Sequence, residues 1–437
     1  MIDSSAAREV IDRPGLSSVV QVMSADRSKR GLRGVHHHVT QETGRSTLTA
    51  VPDRTELVAR ATELQPLLRE HAGQMDEERR LSDEVNTALV DAGMFRLLTP
   101  RRLGGFESGL RTAVEVTATL GAADGSAAWL VGIGTGAALL LGLGSRQAQD
   151  AVFGTDPDAR LAGSAMPGVA RRVEGGVRMS GRWPNASGTQ HATWASLAAV
   201  VMDEADEVVD AVMATVPASE LGREDTWHMV GMRATGSNTW VGDDVYVPDH
   251  MTMSMASLTD APSAPTGEST SLLPLVGPAT LLLVAPALGM GRAALDLAVE
   301  KAPSKGIATT TYPRQTDSVA VQIQIGEAAL KLRTAQFHVY DAADGLDAMA
   351  ARGEQASYET RAEVRARAGH AASLVVDAIN TLLNVHGAGS FAAASRMQQY
   401  WRDANVIARH PGLNAMIGYE IYGKALLGVE ERIGRLV

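Results

Sequence analysis

The sequence predicts an α+β protein with three consecutive parts: a helical N-terminal domain over 53–158, an antiparallel β-domain over 159–254 and a C-terminal four-helix bundle over 255–437. Apolar residues recur at spacings of three and four in the first and third parts, as in amphipathic helices, and with a period of two in the middle part, as in strands. The 437 residues are also enough for two to three domains of common size.

Residues 1–52 precede this pattern and show no hydrophobic periodicity. Their polar composition, rich in Gly, Ser, Thr and Arg, is typical of a flexible leader, and they contain no apolar segment like that of a signal peptide. The triplet His36–His38 could bind a metal ion, but only Glu42 lies nearby to complete the ligand set. We therefore predict no metal site.

The N-terminal domain begins with a helix whose apolar face is formed by Leu57, Ala61, Leu64 and Leu68. A second helix is expected to start at Ser82, whose hydroxyl can cap the first turn, and to end near Gly93. Residues 111–144 predict two further helices separated at Asp124. Several glycines in the second of these would let neighbouring helices approach closely.

The β-domain is predicted from short apolar runs bounded by Gly, Asp and Pro. Residues 169–182, VARRVEGGVRMSGR, have the pattern of strand, Gly-Gly turn and strand. Further strands are expected at 197–202, 208–216 and 240–247, and a loop at 253–269.

The C-terminal part contains a helix with a regular apolar seam, formed by Val321, Ile325, Ala328, Leu332, Ala335, Val339 and Ala342. Such a seam is typical of bundles and predicts that the chain also packs against copies of itself. Further helices are expected at 357–383, 393–408 and 412–435. The apolar stretch 272–290 contains three prolines, which favours a buried core helix over a membrane span.

Composition excludes several classes of protein. There are 40 Lys and Arg against 50 Asp and Glu, a net charge of −10, and no basic block, so neither nucleic acid nor an anionic membrane is an expected partner. The chain has no cysteine, which excludes disulfides, thiolate metal sites and a cysteine nucleophile and is consistent with a cytoplasmic protein. The absence of GxGxxG, P-loop, HExxH and GxSxG motifs argues against Rossmann, P-loop, zinc-hydrolase and α/β-hydrolase enzymes.

Two segments of the β-domain could form a binding site. GRWPNASGTQHATW, at 181–194, combines two tryptophans with short polar side chains, which would suit a planar ligand, although a strand–turn–strand with a buried tryptophan has the same composition. In GMRATGSNTW, Thr235 and Ser237 could form a nest for a phosphate or serve an ordinary turn. In the C-terminal part, His386 and His410 are each either structural or catalytic.

The phrases VEGGVRMSGRWPNASGTQHATW, GMRATGSNTWVGDDVYVPDH and YWRDANVIARHP resemble the acyl-CoA dehydrogenase superfamily, most closely its branch of two-component, reduced-flavin-dependent (group D) monooxygenases. Acyl-CoA dehydrogenases place a catalytic Glu shortly after the Arg-Asp motif. Here RDANVIARHPGLN contains no carboxylate after Asp403, and His410 stands where the oxygenases carry their active-site His. The resemblance therefore favours the oxygenase branch and an acyl-CoA dehydrogenase-like fold.

The resemblance also implies roles for individual residues. His410 and Ser187 are the expected catalytic residues, with Ser187 near flavin N5. Flavin contacts are expected from Trp183, Asn185, Ser187, Thr235, Ser237 and Arg314. Of these, Trp183 and Asn185 would line the isoalloxazine, and Arg314, assisted by Gln322, would reach the flavin of a neighbouring protomer. Trp129 and His386 are expected at the substrate, although Trp129 could equally be a core residue.

The function implied by the resemblance is hydroxylation of an aromatic substrate, phenolic or polycyclic. A separate NAD(P)H-dependent flavin reductase would supply reduced FMN or FAD, and O2 would react through a C4a-hydroperoxyflavin in a dry cavity. The enzyme is expected to be a homotetramer. The alternatives are N- or S-oxygenation of an amino-sugar or sulfur heterocycle, an acyl-CoA dehydrogenase-like reaction, and a flavin-free scaffold.

Overall fold

The computed structural model describes residues 51–259 and 273–434. Most of the predicted leader, including His36–His38, and much of the predicted loop 253–269 lie outside the described residues. The order of helices, sheet and helices confirms the predicted α+β fold class.

The helices of the N-terminal domain are α1 (Arg54–Glu63), α2 (Gln65–Glu78), α3 (Asp83–Asp91), α4 (Leu110–Gly121), α5 (Gly125–Gly142) and α6 (Arg146–Phe153). The single helix expected from the Leu57–Leu68 face is in fact two, because Pro66 lacks an amide hydrogen and lies in the first turn of α2. Ser82 caps α3 as predicted, with its hydroxyl accepting from Val85 N. Asp124 caps α5 in the same way through Ala127 N.

The middle of the chain forms one sheet of β1 (Leu161–Val173), β2 (Gly176–Ala186), β3 (Trp194–Met202), β4 (Val208–Pro217), β5 (Gly222–Glu224), β6 (Asn238–Pro248) and β7 (Thr252–Ser254). The strand order is β5-β6-β2-β1-β3-β4-β7. The predicted hairpin between β1 and β2 is present, with Val173 opposite Gly176. A short helix, α7 (Met255–Thr259), follows β7 where a loop was expected.

The prediction of an antiparallel sheet is wrong in one respect, because β1 and β3 are parallel. The end of β2 lies beside the start of β1. From there, the connection 187–193 crosses to the other side of β1, and β3 begins at the same end of β1, where Trp194 pairs with Leu161. The two strands must therefore run in the same direction, and the sheet is mixed. The connection that causes this begins with Ser187.

The C-terminal part consists of α8 (Val276–Lys301), α9 (Val319–Ala351), α10 (Tyr358–His386), α11 (Arg396–Ile407) and α12 (Ala415–Leu426). The α9 seam is buried inside the chain except for the half-buried Ile325, so it serves this bundle rather than contacts between copies. Helices α5 and α8 are long and apolar enough to cross a bilayer, but 72% and 61% of their most apolar windows are buried. They are core helices, as predicted for 272–290 within its described part.

Two hydrophobic cores meet at α5. One joins the helices of both helical parts and includes residues 127–131 of α5, and the other lies under the sheet and includes Ala138 and Leu141 of the same helix. Helices α4 and α8 cross closely, since a Cβ on Gly289 would lie 2.0 Å from Ala118 O. Helix α5 thus carries Trp129 into the space between the sheet and the bundle.

Candidate functional site

Three buried hydroxyls from two loops form a continuous hydrogen-bonded chain. Ser187 Oγ lies 2.7 Å from Ser237 Oγ, and Ser237 Oγ lies 2.7 Å from Thr235 Oγ1. Thr235 Oγ1 in turn donates to Met232 O at 2.8 Å. We call Ser187, Ser237 and Thr235 the hydroxyl chain.

The backbone fixes the two loops against each other. Gly188 N donates to Thr235 O at 2.8 Å, which joins the segment after β2 to the turn before β6. That turn, Arg233–Thr235, is flanked by left-handed residues, Met232 at φ 53° and Gly236 at φ 49°. A non-glycine residue in this conformation costs energy and persists only when its surroundings hold it.

Trp129 connects the hydroxyl chain to His410. Its indole Nε1 donates to Ser187 Oγ at 3.0 Å, and its ring meets the imidazole of His410 edge-on, with ring centroids 5.5 Å apart. Because α5 supplies Trp129, the loop after β2 supplies Ser187 and the segment after α11 supplies His410, the three parts of the fold meet at this point.

The ring of His410 is held in one tautomer. Gly412 N donates to His410 Nδ1 at 3.0 Å, so Nδ1 carries no hydrogen and the neutral ring has its N–H at Nε2. Burial, and secondarily the positive charge of Arg365, lower the pKa of His410 to about 4. Arg365 also donates to Pro411 O at 2.6 Å, which fixes the turn that follows. His410 is therefore a neutral hydrogen-bond donor near pH 7.

Asp403 anchors the strained turn from the bundle side. Its Oδ1 accepts from Met232 N at 2.6 Å, and a Cβ on Gly231 would lie 2.6 Å from Arg402 O, so only a glycine fits there. Burial raises the pKa of Asp403 to about 7. The Met232 hydrogen bond and Arg402 oppose this rise, whereas the neighbouring carboxylates Asp124 and Asp76 add to it.

This environment predicts that the Asp403→Asn variant is more stable than wild type, by a margin that grows as the pH rises from 4 to 7. An Asn oxygen can still accept from Met232 N, whereas the carboxylate ionises near pH 4 when unfolded and near pH 7 when folded. The wild-type free energy of unfolding should therefore fall relative to that of the variant as pH rises through this window, by on the order of 2–4 kcal/mol.

Chemical denaturation at several pH values measures this difference. Asp403→Ala, which loses the acceptor as well, should be less stable than Asp403→Asn at every pH. A stability difference between wild type and Asp403→Asn that does not change with pH would contradict the assignment.

Not every predicted flavin-binding residue has a side chain that is free to contact a ligand. Trp183 is 0% exposed, packs under the sheet and donates to Ala198 O at 2.9 Å, so it has no free surface with which to line an isoalloxazine. Asn185 is exposed in a left-handed conformation at φ 59°, and its flavin contact stays a prediction. The phosphate-nest interpretation of Thr235 and Ser237 has no support, because both hydroxyls are buried and bonded within the hydroxyl chain.

Arg314 and His386 are not near His410 in the described chain. His386 lies 21 residues beyond Arg365 on α10, which at 1.5 Å per residue is about 31 Å. Since Arg365 contacts the residue after His410, His386 and His410 cannot line the same small pocket of one protomer. Arg314 is exposed and paired with Asp317 at 2.9 Å, and its contact with a flavin on another protomer stays a prediction, as does that of Gln322.

Sequence reasoning missed the anchoring residues Asp403 and Arg365. Asp403 lies on the apolar face of α11, together with Met397, Tyr400, Ala404 and Ile407. A carboxylate on such a face signals a buried polar contact, since Asp is rarely buried without a partner. Arg365 had no comparable signal, because α10 contains several arginines.

Comparison with known proteins places these elements in a family. The family model described as "Acyl-CoA dehydrogenase, N-terminal domain" matches residues 58–153, and the one described as "Acyl-CoA dehydrogenase, C-terminal domain" matches residues 281–415. The second match includes Asp403 and His410.

Two curated relatives and one solved structure are similar over most of the chain. The oxygenase subunit HsaA of a flavin-dependent monooxygenase from Rhodococcus jostii (strain RHA1) is 30% identical over 84% of this chain and 97% of its own length. The oxygenase component of an FADH2-dependent resorcinol hydroxylase from Rhizobium sp. (strain MTP-10005) is 30% identical over 86% and 95%. XiaF from Streptomyces sp., solved with FADH2 and glycerol, has a TM-score of 0.83 at 38% identity, covering 87% and 97%.

Proposed function

The chain belongs to the acyl-CoA dehydrogenase family, in its branch of flavin-dependent monooxygenases, and from this premise we propose that it is the oxygenase component of a two-component system that hydroxylates a phenolic or polycyclic aromatic substrate. The observation that carries the proposal is the contact of Ser187, Trp129 and His410, which brings two neutral polar groups together at one indole. An aromatic substrate and a planar cofactor both suit such a site.

The residues present are compatible with reduced FMN or FAD. The hydroxyl of Ser187 and the imidazole of His410 are polar groups that can hydrogen-bond to the edge of a heteroaromatic ring, and the oxygen of Ser187 has a lone pair unused by its two hydrogen bonds. Ser187 and Asn185 would hold the ring, with Arg314 contributing from a neighbouring protomer. The bound reduced flavin supplies the electrons that activate O2.

The chain itself contributes hydrogen bonds and a dry environment. His410 would donate from Nε2 to an oxygen atom near the substrate, and its low pKa keeps the ring neutral during this role. Leu130 lies against Gly188, and Leu283 lies against Gly412. These apolar side chains would exclude water next to both polar groups, which limits the loss of H2O2.

Three alternatives have less support. Abstraction of an acyl α-proton needs a desolvated carboxylate, and Asp403, the last carboxylate of its segment, is bonded to Met232 N. A nucleotide-sugar substrate for N-oxygenation would need a basic pocket, for which the sequence offers Arg101 and Arg102, and Arg102 is already paired with Asp150 at 2.7 Å. In a flavin-free scaffold, the Ser187–Trp129–His410 arrangement would have no ligand to bind.

The experiment that tests the proposal is turnover under ¹⁸O2 with a flavin reductase, NADH, and resorcinol and indole-3-acetate as probes. A hydroxylated product that carries one ¹⁸O atom is expected. Oxidation of a saturated acyl-CoA to its enoyl form, without oxygen incorporation, would place the chain with the dehydrogenases instead.

We further propose a homotetramer in the cytoplasm, where NAD(P)H can sustain the reductase. Helix α9 presents an exposed apolar stripe of Val319, Ile323, Leu330 and Phe337, on the side opposite the buried seam. The side chains of Leu330 and Phe337 are 70% and 64% exposed. A stripe of this kind suggests a contact with another copy, because each such side chain gains about 1.5–3 kcal/mol on burial.

The double variant Leu330→Glu/Phe337→Glu is therefore expected to dissociate the tetramer, because two buried charges without partners would oppose association. Light scattering measures the mass in solution. Val209→Glu, a similar change at an exposed apolar residue of β4, should leave the tetramer intact. A wild-type protein that is monomeric would refute the tetramer and remove the basis for the role of Arg314.

A further inference from the structure

Arg365 is a buried arginine with no anionic partner among the described residues. Only 5% of it is exposed. Its Nη2 donates to Pro411 O at 2.6 Å, and its Nη1 is buried without a hydrogen-bond partner in the part of the chain that the structure describes. One backbone carbonyl satisfies one of the five N–H groups of a guanidinium and does not balance its charge. Arg365 therefore brings a full positive charge into the protein interior, directly beneath the turn that carries His410.

The elements that enclose His410 supply no counter-charge. Helix α5, which carries Trp129, contains no Asp or Glu, and neither do residues 276–291 of α8. The turn 408–414 contains Arg409 and His410 but no carboxylate. In the described ranges, the space beside His410 is thus bordered by apolar helices and by one unbalanced cation.

A second arginine on the same face of α10 adds to this charge. Arg361 lies four residues before Arg365, which is one turn of the helix. It donates to Ala356 O at 2.7 Å, and no carboxylate is bonded to it in the described part of the chain. The charged group that acts on it is Arg432, another cation, which together with burial lowers the pKa of Arg361. The positive potential along this face is therefore not cancelled from the side of Arg361.

The charge of Arg365 persists because arginine cannot lose its proton in a protein. A buried lysine or histidine can avoid the cost of an unpaired charge by becoming neutral, whereas a guanidinium stays protonated. Burial accordingly lowers the pKa of Arg365 without making it neutral. The same charge helps to keep the ring of His410 uncharged. The position next to His410 Nε2 therefore combines a neutral hydrogen-bond donor with a positive potential, in surroundings where water screens little.

We propose that Arg365 makes the site selective for an aromatic substrate that carries an oxyanion, either an ionised ring hydroxyl or a carboxylate. The oxyanion accepts the hydrogen bond from His410 Nε2, and its charge balances that of Arg365. The inference rests on the proposed function and names the chemical class of its substrate. It assigns Arg365 as a specificity-determining residue that acts through its charge, in addition to its hydrogen bond to the turn at Pro411.

The expected size of the effect follows from the influence of a nearby opposite charge on an ionisable oxygen. Such a charge commonly favours the ionised form over the neutral form by at least about tenfold. Wild-type enzyme should therefore bind an anionic aromatic compound at least about tenfold more tightly than a neutral analogue of the same shape. The preference should be lost when position 365 is neutral.

Anaerobic equilibrium dialysis of the full-length enzyme, loaded with reduced FAD, tests this inference without turnover. One pair of probes is 4-nitrophenol and its neutral methyl ether 4-nitroanisole, and the other is indole-3-acetate and its neutral amide indole-3-acetamide. The pH is chosen so that both acids are ionised in water. In each pair the ratio of the two Kd values measures the preference for the anion.

Two variants separate the charge of Arg365 from its hydrogen bond. Arg365→Gln keeps an N–H that can donate to Pro411 O but has no charge, so the ratio should fall about tenfold. Arg365→Lys keeps the charge and should keep most of the preference. Because each ratio compares two ligands on the same protein, a general loss of stability changes both Kd values and leaves the ratio unaltered.

The control variant is Arg367→Gln, a matched change on the same helix. Arg367 is already paired with Asp341 at 2.6 Å, so its ratios should equal those of wild type. A preference in the first pair of probes alone identifies the oxyanion as an ionised hydroxyl, and one in the second pair alone identifies it as a carboxylate.

Three results would overturn the inference: equal binding of anion and neutral analogue by wild type in both pairs, a preference that Arg365→Gln retains, or binding of neither anion. These measurements need no oxygen and are independent of the test of the proposed function. Products without ¹⁸O would overturn the proposed function and leave the measured charge preference unchanged.

Discussion

His410→Ala is expected to release H2O2 about 10²-fold faster than wild type when enzyme that holds reduced FAD is mixed with O2. The neutral ring can donate one hydrogen bond from Nε2, in a tautomer fixed by Gly412 N, and Leu283, which lies against Gly412, would shield the site from water. Removal of a single preorganised donor of this kind commonly costs two to three orders of magnitude in the step it assists. A peroxidase-coupled assay measures the release of H2O2.

Two further variants separate the donor from the structural role of the ring. An Asn side chain at 410 can still accept from Gly412 N but has no donor at the position of Nε2, so His410→Asn should be as stable as wild type and yet release H2O2 rapidly. A Gln amide can reach the position of Nε2, and His410→Gln should recover part of the loss. If His410→Asn behaves as wild type, the ring serves only to cap its turn.

The pH dependence provides a second check on the same residue. The pKa of His410 is about 4 in the folded protein, against 6.5 ordinarily, so the ring stays neutral from pH 8 down to about pH 5. The effect of His410→Ala on the release of H2O2 should accordingly be constant over this range. An effect that appears only above pH 6.5 would mean that the ring titrates as an exposed histidine does.

Ser187→Ala is expected to weaken the binding of reduced FAD by at least about tenfold and to destabilise the protein. The substitution removes the acceptor offered to the flavin and leaves the buried Trp129 N–H without its partner, which costs about 1–3 kcal/mol. Anaerobic titration measures the affinity, and thermal unfolding measures the stability.

A matched control for this variant is Ser164→Ala in the same sheet. The Ser164 hydroxyl is buried and donates to Pro184 O at 2.8 Å, so its removal should cost similar stability without changing the affinity for reduced FAD. Ser187→Thr, which keeps the hydroxyl, should retain most of the affinity. Equal affinity in Ser187→Ala and wild type would show that Ser187 does not contact the flavin.

Local pattern was sufficient to predict most elements of the fold. The cap at Ser82, the helix break at Asp124, the Gly-Gly hairpin and the α9 seam depend on residues close in the chain, and all are present. The parallel pairing of β1 and β3 depends instead on where the connection 187–193 returns to the sheet. Sequence periodicity carries no information about that choice.

The site was predicted unevenly for a similar reason. Ser187 and His410 belong to recognisable phrases, whereas the bond between Trp129 and Ser187 joins residues 58 positions apart. The sequence does contain a signal for the position of Trp183. It continues the inward face of β2 set by Val177 and Met179, and this alternation assigns it to the core.

The most direct test of the central claim is a single mixing experiment without substrate. Enzyme loaded anaerobically with reduced FAD, and separately with reduced FMN, is mixed with O2 while O2 uptake and H2O2 release are followed together. The proposed oxygenase function predicts that O2 is consumed at once and that H2O2 appears after a clear delay, which His410→Ala shortens. If uptake and release coincide at the rate of free reduced flavin, the chain does not retain activated oxygen and is not an oxygenase of this kind.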